Sequence, residues 1–146
     1  MHNQLPAPAS TLLPHEPPMV YIDRLLEADQ DRGLCETRLT PGHMLLDSQG
    51  RMDRCAFIEL AAQSFAALKG WEFVRQGQPF PIGFLVGAQG FECLADARMG
   101  DRLCIETVSL GTFEGFGVVR ATITRDSDIL AQGKIKLYVP NAGNPA

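Results

Sequence analysis

The chain has 146 residues, 45% of them hydrophobic and 21% charged, which is enough apolar material for one buried core in a single domain. A net charge of −4 and a pI near 5.3, with no run of Lys or Arg, argue against nucleic acid as the main partner. No apolar run reaches the roughly 18 to 20 residues that cross a bilayer, and the N-terminus lacks the basic and apolar blocks of a secretory signal, so the expected location is the cytoplasm.

Five of the ten prolines, Pro6, Pro8, Pro14, Pro17 and Pro18, fall in the first 18 residues and preclude a regular helix or a central strand there. Residues 1–18 are therefore expected to form an arm leading into a domain over 19–140, with 141–146 as a flexible tail. Met19 to Ala28 and Leu34 to Thr40 read as two strands of a hairpin across the polar turn Asp29 to Gly33. Asp53 to Lys69 holds neither Gly nor Pro and predicts one helix ending at Gly70, a residue suited to the C′ position. Apolar side chains surround that helix, so most of its sides must be covered. Strands follow at about Ile82 to Leu94, Asp101 to Leu110, Phe116 to Arg125 and Ile129 to Val139, joined by connections too short for crossover helices and read as a four-strand meander. The pattern is α+β.

Cys35, Cys55, Cys93 and Cys104 stand singly in apolar segments without C-x-x-C spacing, and read as buried free thiols. Of the three histidines, His43 follows Pro41-Gly42 in a loop that can present an imidazole, or else is a solvated loop residue. Glu59 interrupts an otherwise apolar helix, and Gln63 lies four residues on along the same face. Either both point into a polar pocket, where a raised carboxyl pKa would make Glu59 a proton donor, or Glu59 faces solvent at the helix edge.

Three segments resemble the bacterial 3-hydroxyacyl-[acyl-carrier-protein] dehydratases, and more closely their relatives from aryl-polyene-type biosynthetic clusters. LLPHEPPMVYIDRLLE (residues 12–27) is similar to the family's L-P-H-x-x-P-x-x-x-x-D-R-x-x-E segment, and FIELAAQ (57–63) to its helix motif. GFLVGAQGFECLADARMGDRL (83–103) resembles a Phe-bearing strand leading to a G-D-x-L turn. The resemblance covers nearly the whole chain. It implies a hotdog fold, a curved antiparallel sheet of about six strands around one long central helix, and a dimer whose sheets join.

The same resemblance implies a site made by a loop His and a helix Glu from different subunits, roles that fall here to His43 and Glu59. Gln63, Arg54, Cys55, Phe57 and Phe84 are then the expected substrate-binding residues, with Phe57 and Phe84 beside an apolar acyl tunnel. His15 matches a family position read as structural. Two departures stand out: the family follows its His with Phe-Pro, against Met44-Leu45 here, and its Pro-Gly before the helix, whose glycine amide holds the thioester carbonyl, is replaced by Asp53-Arg54. First-turn amides and the helix dipole remain available in principle to polarise a carbonyl.

The implied reaction is loss of water from a 3-hydroxyacyl thioester, carried on acyl carrier protein or coenzyme A, without a metal or redox cofactor. Two other readings are a hotdog thioesterase whose water is activated by Glu59 or Asp47, and a catalytically degenerate subunit stabilising an active dehydratase in a heterodimer. Homodimer and heterodimer both remain open.

Overall fold

The computed structural model describes residues 4–79 and 83–138; the expected tail at 141–146 and the expected strand start at Ile82 lie outside them. In chain order the elements are β1 (Ala7–Pro8), a 3-10 turn (Ala9–Thr11), β2 (Arg24–Ala28), β3 (Arg32–Arg38), the helix α1 (Ala56–Arg75), β4 (Phe84–Cys93), β5 (Arg102–Phe113), β6 (Phe116–Arg125) and β7 (Asp128–Tyr138). All strands join one open antiparallel sheet in the order β1-β2-β3-β5-β6-β7-β4. The expected architecture of one long helix against one antiparallel sheet is therefore present, with β1 as a short seventh strand.

The expected meander is corrected at its first step. β4 does not pair with β5; it pairs with β7, from Phe84 opposite Tyr138 to Cys93 opposite Ala131, and so forms the far edge of the sheet. β5 is instead central, between β3 and β6. A short connection excludes a crossover helix but does not force its two strands to be neighbours, and the segment after β4 passes the start of α1: Arg51 bridges to Arg98 and the Met52 amide donates to Ala97 O at 3.1 Å.

Both ends of the helix differ from expectation. Asp53 lies one turn before α1 and accepts the Cys55 amide on Oδ1 at 2.8 Å, so it caps the turn that leads into the helix. At the other end the helix runs through Gly70 to Arg75, and Gly77, with φ 69°, takes the C′ position. The Gln78 amide reaches Phe73 O and the Gly77 amide reaches Val74 O, a Schellman closure.

Gly70 serves close packing instead. A Cβ there would lie 1.8 Å from the Leu12 carbonyl oxygen, because the arm crosses the helix at this point. Ala7, Ala9, Leu12 and Leu13 of that arm are buried in the core, so the proline-rich segment seals one end of the fold. Gly70→Ala is expected to lower stability by about 1–3 kcal/mol through overpacking and to loosen residues 7–13. Denaturant midpoints and amide exchange measure this; a variant with wild-type values would mean that the arm re-seats without cost.

The sheet-facing side of α1 buries Phe57, Leu60, Ala61, Ser64, Phe65, Ala67, Leu68 and Trp71 against strand residues such as Cys35, Ile105, Val119, Ala121 and Ile135. The expected cover on most sides of the helix is incomplete at Ile58 and Ala62, which are only partly buried. They belong to a stripe with Glu59, Ala66 and Lys69 that the sheet leaves uncovered.

On the opposite face of the sheet, Glu36 is 3% exposed and binds Arg24 and Arg102. Burial by itself would raise its carboxyl pKa, but hydrogen bonds and attraction from Arg24 and Arg102 outweigh that and hold it below the ordinary 4.5. A depressed folded-state pKa contributes stability above the unfolded value and loses it as the pH falls through the folded one. Glu36→Gln is therefore expected to flatten the acid limb of a plot of melting temperature against pH; an unchanged limb would assign acid sensitivity to other carboxylates.

Candidate active site

The uncovered stripe of α1 opens into a cavity of about 410 Å³. Glu59, Ala62, Gln63, Ala66 and Lys69 form its floor, at the spacing that keeps residues on one side of a helix. Pro14, His15, Met19 and Tyr21 of the segment before β2 make one wall, and Phe84, Leu85 and Leu137 of β4 and β7 the other. The lining is mainly apolar, with a carboxylate at one end and an ammonium ten residues away along the helix, about 15 Å at 1.5 Å per residue.

Glu59 is exposed in the single chain and has no hydrogen-bond or ion-pair partner among the described residues. Gln63 shares the cavity but is 5% exposed, and its amide is committed to the backbone. Its Oε1 accepts the amides of Tyr21 at 2.6 Å and Ile22 at 3.2 Å, and its Nε2 donates to Met19 O at 2.9 Å. The two residues share one face, as their spacing predicts, yet Gln63 spends its polarity in tying the proline-kinked segment to the helix.

His43 is not among the residues lining this cavity. Leu45 N–H lies 3.1 Å from His43 Nδ1 and donates to it, so the other nitrogen carries the proton and donates to Tyr21 O at 2.9 Å. Both ring nitrogens are thus engaged by the backbone of the same chain. Within one chain the structure does not bring His43 and Glu59 together; the imidazole that shares the cavity with Glu59 is that of His15.

The start of α1 is also closed on itself. Cys55 N–H donates to Asp53 Oδ1, and the amides of Ala56, Phe57 and Ile58 donate to the carbonyls of Asp53, Arg54 and Cys55. The amides of Cys55 to Ile58 are thus occupied, whereas the Arg54 amide, at the position of the family's glycine, donates to no acceptor among the described residues. Arg54 donates through Nε to Asp96 Oδ1 at 2.7 Å and through Nη1 to Cys93 O at 3.0 Å, which fastens the end of β4 to the helix start. The ion pair holds Asp96 below the usual carboxylate range and raises Arg54.

Of the remaining expected substrate contacts, only Phe84 lines the Glu59 cavity. Phe57 is 0% exposed and belongs to the core on the sheet side, because its position on the helix points away from the open stripe. Arg54 lies in a separate polar recess with Asp47, Arg51, Asp53 and Asp96. There Asp47 accepts the amides of Gln49 and Arg51, which lower its pKa, so it is a turn residue away from Glu59. Cys55 is exposed at the N-cap, and of the four thiols only Cys35 is buried, its pKa pushed up to about 12 by that burial.

Among the described residues no group of three or more His, Cys, Asp or Glu could hold a metal ion, and no helix is long and apolar enough to cross a membrane.

His15, expected to be structural, and Tyr21 line the cavity although no pattern in the sequence marks them for it. The prolines at 14, 17 and 18 fold their segment over the helix stripe, a tertiary placement that local patterning does not encode.

Comparison with known proteins bears on this arrangement. Residues 7–146 match the family profile described as ApeP-like, ApeP dehydratase. The fold is similar to that of the dehydratase heterocomplex ApeI:P from Xenorhabdus doucetiae, with a TM-score of 0.85, 24% identity and coverage of 94% of each chain. It is similar, at a TM-score of 0.61 and 14% identity over 79% of this chain and 86% of the other, to smu.793 from Streptococcus mutans bound to acetyl CoA. A hypothetical thioesterase with coenzyme A from Streptococcus pneumoniae TIGR4 gives a TM-score of 0.63 at 12% identity over 80% and 86% of the two chains. No curated protein matches the sequence.

Proposed function

We propose, on the premise that the chain belongs to the ApeP-like dehydratase family, that it is one half of a hotdog dehydratase acting on a 3-hydroxyacyl thioester. In this reading Glu59 is the acid, and a second hotdog subunit supplies the base and the carbonyl-binding amide. The observation that carries it is the asymmetry within one chain: Glu59, on the open stripe of α1, has no partner among the described residues, whereas both ring nitrogens of His43 are engaged internally.

The chemistry follows from that division. The thioester acidifies C2, and a base on the second subunit takes the C2 proton while the thioester oxygen is held by an amide. Protonated Glu59 gives its proton to the departing 3-hydroxyl, the C3–O bond breaks, and water and a trans-2-enoyl thioester result. The acyl chain lies along the apolar stripe past Ala62 and Ala66. No step requires a redox cofactor.

A heterodimer is favoured over a homodimer because a second copy would bring a second His43 whose two ring nitrogens are both engaged. β4 offers the joining edge: ten residues long, exposed along most of its length and, among the described residues, hydrogen-bonded to a strand on one side only. The ApeI:P heterocomplex supports a hotdog partner of a different sequence, and the coenzyme A-bound neighbours support a thioester as ligand. Mixing the chain with candidate hotdog partner subunits tests this: dehydration should require both chains. Full activity of this chain alone would return the base to His43 and the homodimer.

A further inference from the structure

Three side chains hold one residue. Tyr21 N–H donates to Gln63 Oε1 at 2.6 Å, and Tyr21 O accepts from Thr37 Oγ1 at 2.7 Å and from His43 Nε2 at 2.9 Å. The holders are themselves held, Gln63 by Met19 O and His43 by the Leu45 amide. A residue bound at both its N–H and its C=O has its Cα–Cβ direction fixed, so this network aims the phenol.

The phenol lines the same cavity as Glu59. Among the described residues its hydroxyl donates only to the thioether of Met19 at 3.8 Å, a weak acceptor at an exposed position, so no strong acceptor within the chain holds its proton. Leu or Phe would fill the same wall. The hydroxyl is therefore a donor kept in reserve for whatever enters beside Glu59.

We infer that Tyr21 is a substrate-binding hydroxyl that donates a hydrogen bond to the 3-hydroxyl oxygen of the acyl chain, and that His43 and Gln63 are positioning residues acting through it. This rests on the 3-hydroxyacyl thioester reading. The phenol keeps its own proton: it orients the oxygen that Glu59 protonates and stabilises charge on it as the C3–O bond lengthens. His43 thus belongs to the site through the Tyr21 carbonyl.

The test uses the assembled protein and two unreactive pantetheine amides, one carrying a 3-hydroxyacyl chain and one the same chain without the hydroxyl, with Kd measured by calorimetry. Tyr21→Phe should weaken the hydroxylated analogue about five- to tenfold, the scale of one hydrogen bond, and leave the other unchanged. His43→Ala should cause the same selective loss, His43→Gln, which keeps an N–H donor, should restore it, and His43→Ala should add nothing in a Tyr21→Phe background. Equal weakening of both analogues by Tyr21→Phe, or none, overturns the Tyr21 assignment while leaving the dehydratase reading in place. A wild-type assembly that binds neither analogue overturns both.

Discussion

Replacing Glu59 by glutamine is expected to lower turnover of the assembled protein by about 10²- to 10⁴-fold, the range that a positioned general acid contributes. The carboxamide is nearly isosteric but has no acidic proton to give to the departing hydroxyl. Stability should hardly change, because Glu59 is exposed and makes no hydrogen bond or ion pair among the described residues. The expected signature is thus a fall in kcat at an unchanged melting temperature, with KM moving little. Single-turnover assays beside thermal denaturation read both quantities. Retained turnover would remove Glu59 from the acid role; a matching loss of stability would make it a structural residue.

The second large effect concerns β4. Phe84 and Val86 are 53% and 50% exposed in the single chain, on a strand whose outer edge has no neighbour among the described residues. Such an edge invites another strand, and lysines on an edge are a common means of discouraging one. Phe84→Lys combined with Val86→Lys is expected to weaken association with the hotdog partner by about 10²- to 10³-fold, as for two central apolar anchors. The fold itself should survive, since neither side chain is in the buried core. Sedimentation of the mixed chains at graded concentration measures the loss; unchanged association would move the interface away from β4.

Much of this was legible in the sequence for identifiable reasons. The uninterrupted Ala- and Leu-rich run through Glu59 predicts α1, because nothing in it can break a helix and its apolar girth demands cover. Gly70 was legible as glycine but not as packing: a helix-terminating C′ and a helix–backbone contact call for the same residue, and only the position of Leu12 decides between them. The edge position of β4 was hidden because alternation specifies faces and not neighbours. Glu59 stood out as a charge in an apolar run, and its exposure follows from the one stripe that the sheet leaves bare. His43 and Gln63 drew attention by residue type, while their hydrogen bonds to residues 19–22 depend on how the proline-kinked segment lies over the helix. Phe57 differs from Phe84 only by which side of its element it occupies, a distinction that the near-uniform hydrophobicity of α1 conceals.

In the proposed reaction Glu59 of this chain serves an elimination and not a hydrolysis. Product analysis by mass spectrometry, with a 3-hydroxyacyl thioester incubated with this chain, with its hotdog partner and with the two together, tests it most directly. A trans-2-enoyl thioester is expected from the mixture, with the acyl group still on its carrier, and unchanged substrate from each chain alone. Free 3-hydroxy acid and free carrier thiol from the mixture would instead make the protein a thioesterase and exclude Glu59 as the acid of a dehydration.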